Sequence, residues 1–228
     1  MKRIVSTLIL VFATMCSFAQ EIKSINATCD DYLSLLQNAG YNMFVYDISS
    51  LKNKATSIEF SAKEYVNDDL VDSGDSFAVK LIHKISQFSE KGQKDIKATG
   101  IADDEENDIF RLATRLRIGF TPGVRNTVQE VQFEVVGKEP MALFRKRLKL
   151  RDNRVDKSHR ELDYYTRPFK VDGFKKGKFI PLVLYASPWW DEKYKTYRFC
   201  GDKEIPSDLG SGILKHSPHY FIIGVEFK

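Results

Sequence analysis

Apolar and polar residues alternate with a period of two along most of this chain. Ile58 and Phe60 alternate with Ser57, Glu59 and Ser61, and Phe77, Val79, Leu81, His83 and Ile85 alternate with a second set. Leu112, Leu116, Ile118 and Phe120 alternate with Arg111, Arg115, Arg117 and Gly119. Val131, Phe133 and Val135 alternate with Glu130, Gln132 and Glu134. Phe221, Ile223, Val225 and Phe227 alternate with Ile222, Gly224 and Glu226. Successive side chains of a strand point to opposite faces, so this rhythm predicts strands with one buried and one wet face. Two runs, Tyr41 to Tyr46 and Phe179 to Ala186, are apolar throughout and read as covered central strands, although Pro181 asks for an edge or a bulge.

A period of 3.6 is clear at Tyr32, Leu35, Leu36 and Ala39, with Asp30 and Asp31 at the positive end of the helix and Gly40 as its stop. Many strands, one helix and no alternating strand–helix rhythm predict a mainly β protein, an antiparallel two-sheet β-sandwich with one short N-terminal helix. The irregular span from Asp152 to Gly177 is too long for a structureless loop, and a further strand is expected around 162–171.

The first residues follow a different rule. Lys2 and Arg3, the apolar run Ile4 to Phe18 and the small-residue boundary Ser17-Phe18-Ala19 have the order of a secretory signal peptide. Residues 1–19 are therefore expected to be removed, leaving a single domain over 20–228 in the periplasm or at the cell surface, with no transmembrane span. The formal charge of +4 then falls to about +2. That balance gives no global attraction for nucleic acid, and electrostatic function has to reside in local patches. Two cysteines remain, Cys29 and Cys200, either as one disulfide of an oxidising compartment or as two separate thiols.

The most distinctive local patch is a charged ladder. Arg111, Arg115 and Arg117 fall on the wet side of one strand, Glu130 and Glu134 on that of the next, and Arg145, Arg147, Lys149 and Arg151 on that of a third, with turns expected at Thr121-Pro122-Gly123 and at 137–140. Opposite charges across strands stabilise a soluble face, yet these cations outnumber the carboxylates, and the surplus suits a sulfate, phosphate or uronate. Pro188-Trp189-Trp190 offers either a flat apolar platform for sugar rings or ordinary packing at a strand end.

Catalytic chemistry has little to build on. His216 and His219 are separated by Pro218, so they do not share a helical face as metal ligands would, and the acidic run Asp103 to Asp108 lacks calcium-loop spacing. No metal or cofactor is expected. The segments Arg167-Pro168-Phe169, Phe179-Ile180-Pro181-Leu182-Val183-Leu184-Tyr185 and Arg198-Phe199-Cys200-Gly201, with the Phe18-Ala19-Gln20 boundary, resemble a family of small secreted Bacteroides proteins classed as a domain of unknown function. The resemblance implies a secreted, mainly β protein of a Gram-negative envelope and supplies no activity or site residue. The expectation is a non-enzymatic binding module for a glycan or anionic envelope ligand. The alternatives are a small outer-membrane β-barrel, against which Lys146 shares a row with Phe144, Leu148 and Leu150, and a secreted polysaccharide hydrolase.

Overall fold

The computed structural model describes residues 29–52, 54–125, 127–155 and 163–228. The expected signal segment, 1–19, lies outside them. Residues 1–35 and 36–228 form separate units, and the described part of the first, 29–35, is helical. Helix α1 (Cys29–Asn38) stops where the sequence asks, with Gly40 at φ +87° and its N–H donating to the Gln37 carbonyl at 2.9 Å. Tyr32, Leu33 and Leu36 are exposed.

The second unit is mainly antiparallel β. A four-stranded sheet has the order β1 (Asn42–Asp47), β7 (Arg115–Arg125), β8 (Val128–Val136), β9 (Pro140–Lys149). A six-stranded sheet runs β10 (Tyr165–Pro168), β11 (Phe179–Ala186), β14 (His219–Phe227), β2 (Ser57–Val66), with β3 (Asp69–Asp72) and β4 (Phe77–Lys80) both on the far edge of β2. Two two-stranded sheets stand apart, β5 (Ile82–Lys84) with β6 (Ile109–Leu112) and the hairpin β12 (Trp189–Asp191) with β13 (Thr196–Arg198). The main sheets are open, each with two edges among the described residues, so they do not close into the barrel considered above.

The alternating positions of both main sheets meet in one buried cluster that includes Ile118, Phe133 and Leu148 from one sheet and Phe60, Val183 and Ile223 from the other. Phe60 and Phe133 lie 4.9 Å apart between ring centres, and Phe120 and Tyr185 5.2 Å. A second cluster covers the other face of the six-stranded sheet, where Leu184, Ala186, Tyr220 and Ile222 pack against Phe169, Ile205, Ile213 and Leu214.

Several expectations are corrected by this arrangement. β14 is buried on both faces rather than one, because it lies between β11 and β2 and both clusters use it. Tyr41–Tyr46 is not a covered central strand. β1 is a sheet edge, and Tyr41, Met43 and Val45 are exposed. β7 continues past Thr121-Pro122-Gly123 to Arg125, so the turn comes later. The single expected helix is joined by α2 (Glu90–Thr99) and α3 (Gly212–His216). β10 supplies the strand expected inside 162–171, and the register of β11 shifts between Pro181 and Val183, where the proline required a bulge.

Candidate functional site

The three strands β7, β8 and β9 pair in sequence as a meander. Arg117 sits opposite Glu134, Gln132 opposite Arg145, and Glu130 opposite Arg147. Residues directly opposite in a ladder share a face, so Arg115, Arg117, Arg145, Arg147 and Lys149 all project from the side of the four-stranded sheet that the core does not use. Two of these cations are engaged there. Arg117 Nη1 lies 3.1 Å from Glu134 and Arg145 Nε 3.6 Å from Glu130. Arg115 is in register with Asp47, whose carboxyl is held below the usual carboxylate range by the Ser49 hydroxyl and N–H, with a smaller pull from Arg115. Arg147 and Lys149 are exposed and enter no ion pair among the described residues.

The other two expected members of the ladder are elsewhere. Arg111 is on β6, because the alternating run breaks at Ala113 and Thr114 and its two halves join different sheets. Its guanidinium bonds the Ile101 carbonyl at 2.9 Å and Glu139 at 3.2 Å and lies over the Phe110 ring. Arg151 lies beyond the end of β9 and reaches the six-stranded sheet, with Nε donating to Glu64 at 2.8 Å. The net positive surplus on the meander face is therefore smaller than the sequence count implies.

β9 is an edge strand, and beside it lies an open cavity of about 530 Å³ lined by Asp75, Phe77, Glu130, Arg145, Lys146 and Arg147. Lys146, on the opposite side of β9 from Arg145 and Arg147, is 3.9 Å from the Asp75 carboxylate, and Phe77 stacks on Phe144 at 5.4 Å. The cavity thus wraps around the cationic edge, and three consecutive basic side chains reach it.

Arg151 leads into a polar network that no spacing in the sequence announces. His219 is fully buried, and its Nε2 lies 3.0 Å from the same Glu64 oxygen that Arg151 holds. A carboxylate only accepts, so Nε2 carries the proton, and in the neutral ring that burial favours Nδ1 accepts from the Tyr164 hydroxyl. Tyr164 stacks on Tyr185 at 5.1 Å, and Tyr185 donates to Gln129 at 3.0 Å. Burial pushes the His219 pKa down despite the nearby Glu64 and raises those of Tyr164 and Tyr185. With its partners satisfied and its imidazole neutral and enclosed, this network ties β2, β14 and the segments around 151 and 164 together. Val155 N–H donates to Tyr197 at 2.7 Å, linking the same segment to the β12–β13 hairpin.

On that hairpin, Trp189 and Trp190 do not form one platform, because adjacent strand residues face opposite ways. Trp189 packs on the second core cluster beside Phe199 and His216, while Trp190 meets Tyr197 edge to face at 5.1 Å. Both indoles are half-buried. Cys29 and Cys200 are exposed free thiols. In the acidic run, Asp104 pairs with Lys52 at 2.9 Å and Asp108 accepts from Ser86.

The chain belongs to the family described as a domain of unknown function, DUF5041, whose model matches residues 11–228. Neither the curated proteins nor the solved structures give a match.

Proposed function

We propose that this protein is an exported, non-enzymatic binding module for an anionic polysaccharide or comparable envelope component, and that the site is the β9 side of the meander face. The single observation that carries this reading is the pair Arg147 and Lys149, exposed without an ion pair among the described residues, next to the open cavity that Arg145, Lys146 and Arg147 line. Arginine's planar fork matches sulfate, phosphate and carboxylate in two-point contact, and two unpaired cations spaced along an edge strand suit a repeating anionic chain. The supporting fold reading is a two-sheet β-sandwich, since the two main sheets contribute to one core. The half-buried, oppositely directed tryptophans contribute packing rather than a sugar platform in this reading.

The test is binding of a sulfated or uronic-acid polysaccharide to the protein and to the triple variant Arg145→Gln, Arg147→Gln, Lys149→Gln. The parent is expected to bind and to be released by moderate salt, because exposed charges are screened over ~8–10 Å. The variant is expected to fold and to lose binding, and a folded variant that binds like the parent removes the site. Export is checked by intact mass, with a mature start at Gln20 or Glu21 expected and retained Met1 contradicting it.

A further inference from the structure

A second cavity, far from β9 in the order of its sheet, has a different chemistry. It has a volume of about 380 Å³ and is walled by Ile48, Leu51, Leu116, Leu182 and Val225, all buried and aliphatic. Well-packed interiors leave few voids larger than a water, whereas ligand pockets occupy roughly 300–1,000 Å³. The Tyr46 hydroxyl on its wall is committed to the Leu182 carbonyl at 2.8 Å. Asp47 contributes at the rim, but its carboxylate lies in the outward row with Met43 and Val45 and accepts from Ser49 N–H. Ser50, also in the lining, is exposed, so the buried part of the wall is apolar and suits an aliphatic chain.

The segment that lines one side of this cavity lies among lysines, none of which is itself in the lining. Val171, Gly173 and Phe174 line it, Phe174 meeting Phe227 edge to face at 5.5 Å, and the segment is tied down on either side by Lys170 N–H to the Ile205 carbonyl and Gly177 N–H to the Phe227 carbonyl. Within residues 170–178 lie four exposed lysines. Lys170 is 3.9 Å from Asp172, and Lys175, Lys176 and Lys178 enter no ion pair among the described residues. We propose that the cavity takes the aliphatic chain of an anionic amphiphile, with its head group held by Lys175, Lys176 and Lys178.

The proposal is tested with 11-(dansylamino)undecanoate as fluorescent probe and with dodecanoate and dodecanol as competitors. Saturable one-to-one probe binding is expected, displaced by dodecanoate at least tenfold more effectively than by dodecanol. Ile180→Trp, which fills the cavity from β11, is expected to weaken both competitors at least tenfold. Val171→Trp, at an exposed position of the lining, carries the same test if Ile180→Trp does not fold. Lys175→Gln, Lys176→Gln, Lys178→Gln together are expected to erase the preference for dodecanoate and leave dodecanol binding in place. The Arg145, Arg147, Lys149 triple variant is expected to bind dodecanoate like the parent, which separates this site from the polysaccharide face. No saturable probe binding, equal competition by the two ligands, a folded cavity-filling variant that binds like the parent, or loss of dodecanoate binding in the β9 variant each overturns the proposal.

Discussion

The two main sheets use their second faces in opposite ways. The four-stranded sheet leaves Arg115, Arg117, Arg145, Arg147 and Lys149 to solvent, whereas the six-stranded sheet covers Leu184, Tyr220 and Ile222 with a second cluster built from Phe169, Ile205, Ile213 and Leu214. One face keeps its side chains, such as Met43, Val45 and Leu143, largely exposed, so few packing constraints act on them. The other is occupied by structure, and its residues are constrained by volume rather than by charge.

The contrast is broken most sharply by removing side chains from each face. Leu184→Ala, at a position with no exposure, is expected to lower stability by ~2–5 kcal/mol in urea denaturation. Leu143→Ala on the solvent face, 53% exposed, is expected to change it by under ~0.5 kcal/mol. Similar losses at the two positions would mean that the four-stranded face is also covered.

His219 gives the next effect. Its folded pKa is lowered below 6.5, so below pH 6.5 the unfolded chain binds a proton that the folded one resists. The His219 contribution is complete above that pH and declines as pH falls through the folded pKa. Melting temperatures measured between pH 8 and 5 are expected to drop on the acid side. His219→Gln is expected to remove that part of the dependence and, by losing a buried hydrogen bond to Glu64 or Tyr164, to cost about 1 kcal/mol at neutral pH. An unchanged pH profile in the variant would assign the acid-side loss to other groups.

A comparable effect is expected at α2, where the Ser89 hydroxyl accepts from Gly92 N–H at 3.3 Å. Ser89→Ala should cost about 1 kcal/mol, read as earlier thermal loss. The smallest changes are those of Arg147→Gln and Lys149→Gln taken singly, each within ~0.5 kcal/mol, because both side chains are exposed and enter no ion pair among the described residues.

What could be read from the residues follows the same division. Alternation located β2, β7, β8 and β9 because each has one wet face, and it correctly sorted Arg115 and Arg145 from Ile118 and Leu148. It failed at Arg111, since Leu112 and Leu116 keep one parity across a break where Ala113 is the buried residue and the chain changes sheets. It failed again at β14, whose second face is covered by residues such as Ile213 and Ile205 that no local pattern connects to it. Helix α2 buries only Ile96 and so has no apolar stripe, although Ser89 and Gly100 mark its two ends. The Glu64, Tyr164 and His219 network joins residues 155 and 55 positions apart in the chain, and the aliphatic cavity depends on segments near 50, 116, 173, 180 and 225. Such constellations exist only once the sheets have formed.

The pairing of β2 with β14 has a kinetic consequence. Their ladder joins residues 58–66 to 219–227, so the middle of the six-stranded sheet closes only after a very long loop has been brought together. Local hairpins such as β7–β8–β9 form without that entropy loss, so the arrival of β14 beside β2 is the step expected to be slow. Until then the face of β14 that carries Phe221, Ile223 and Val225 lacks its β2 neighbours Phe60 and Ala62 in the main core, and apolar surface left open in this way is what exposes a folding chain to aggregation.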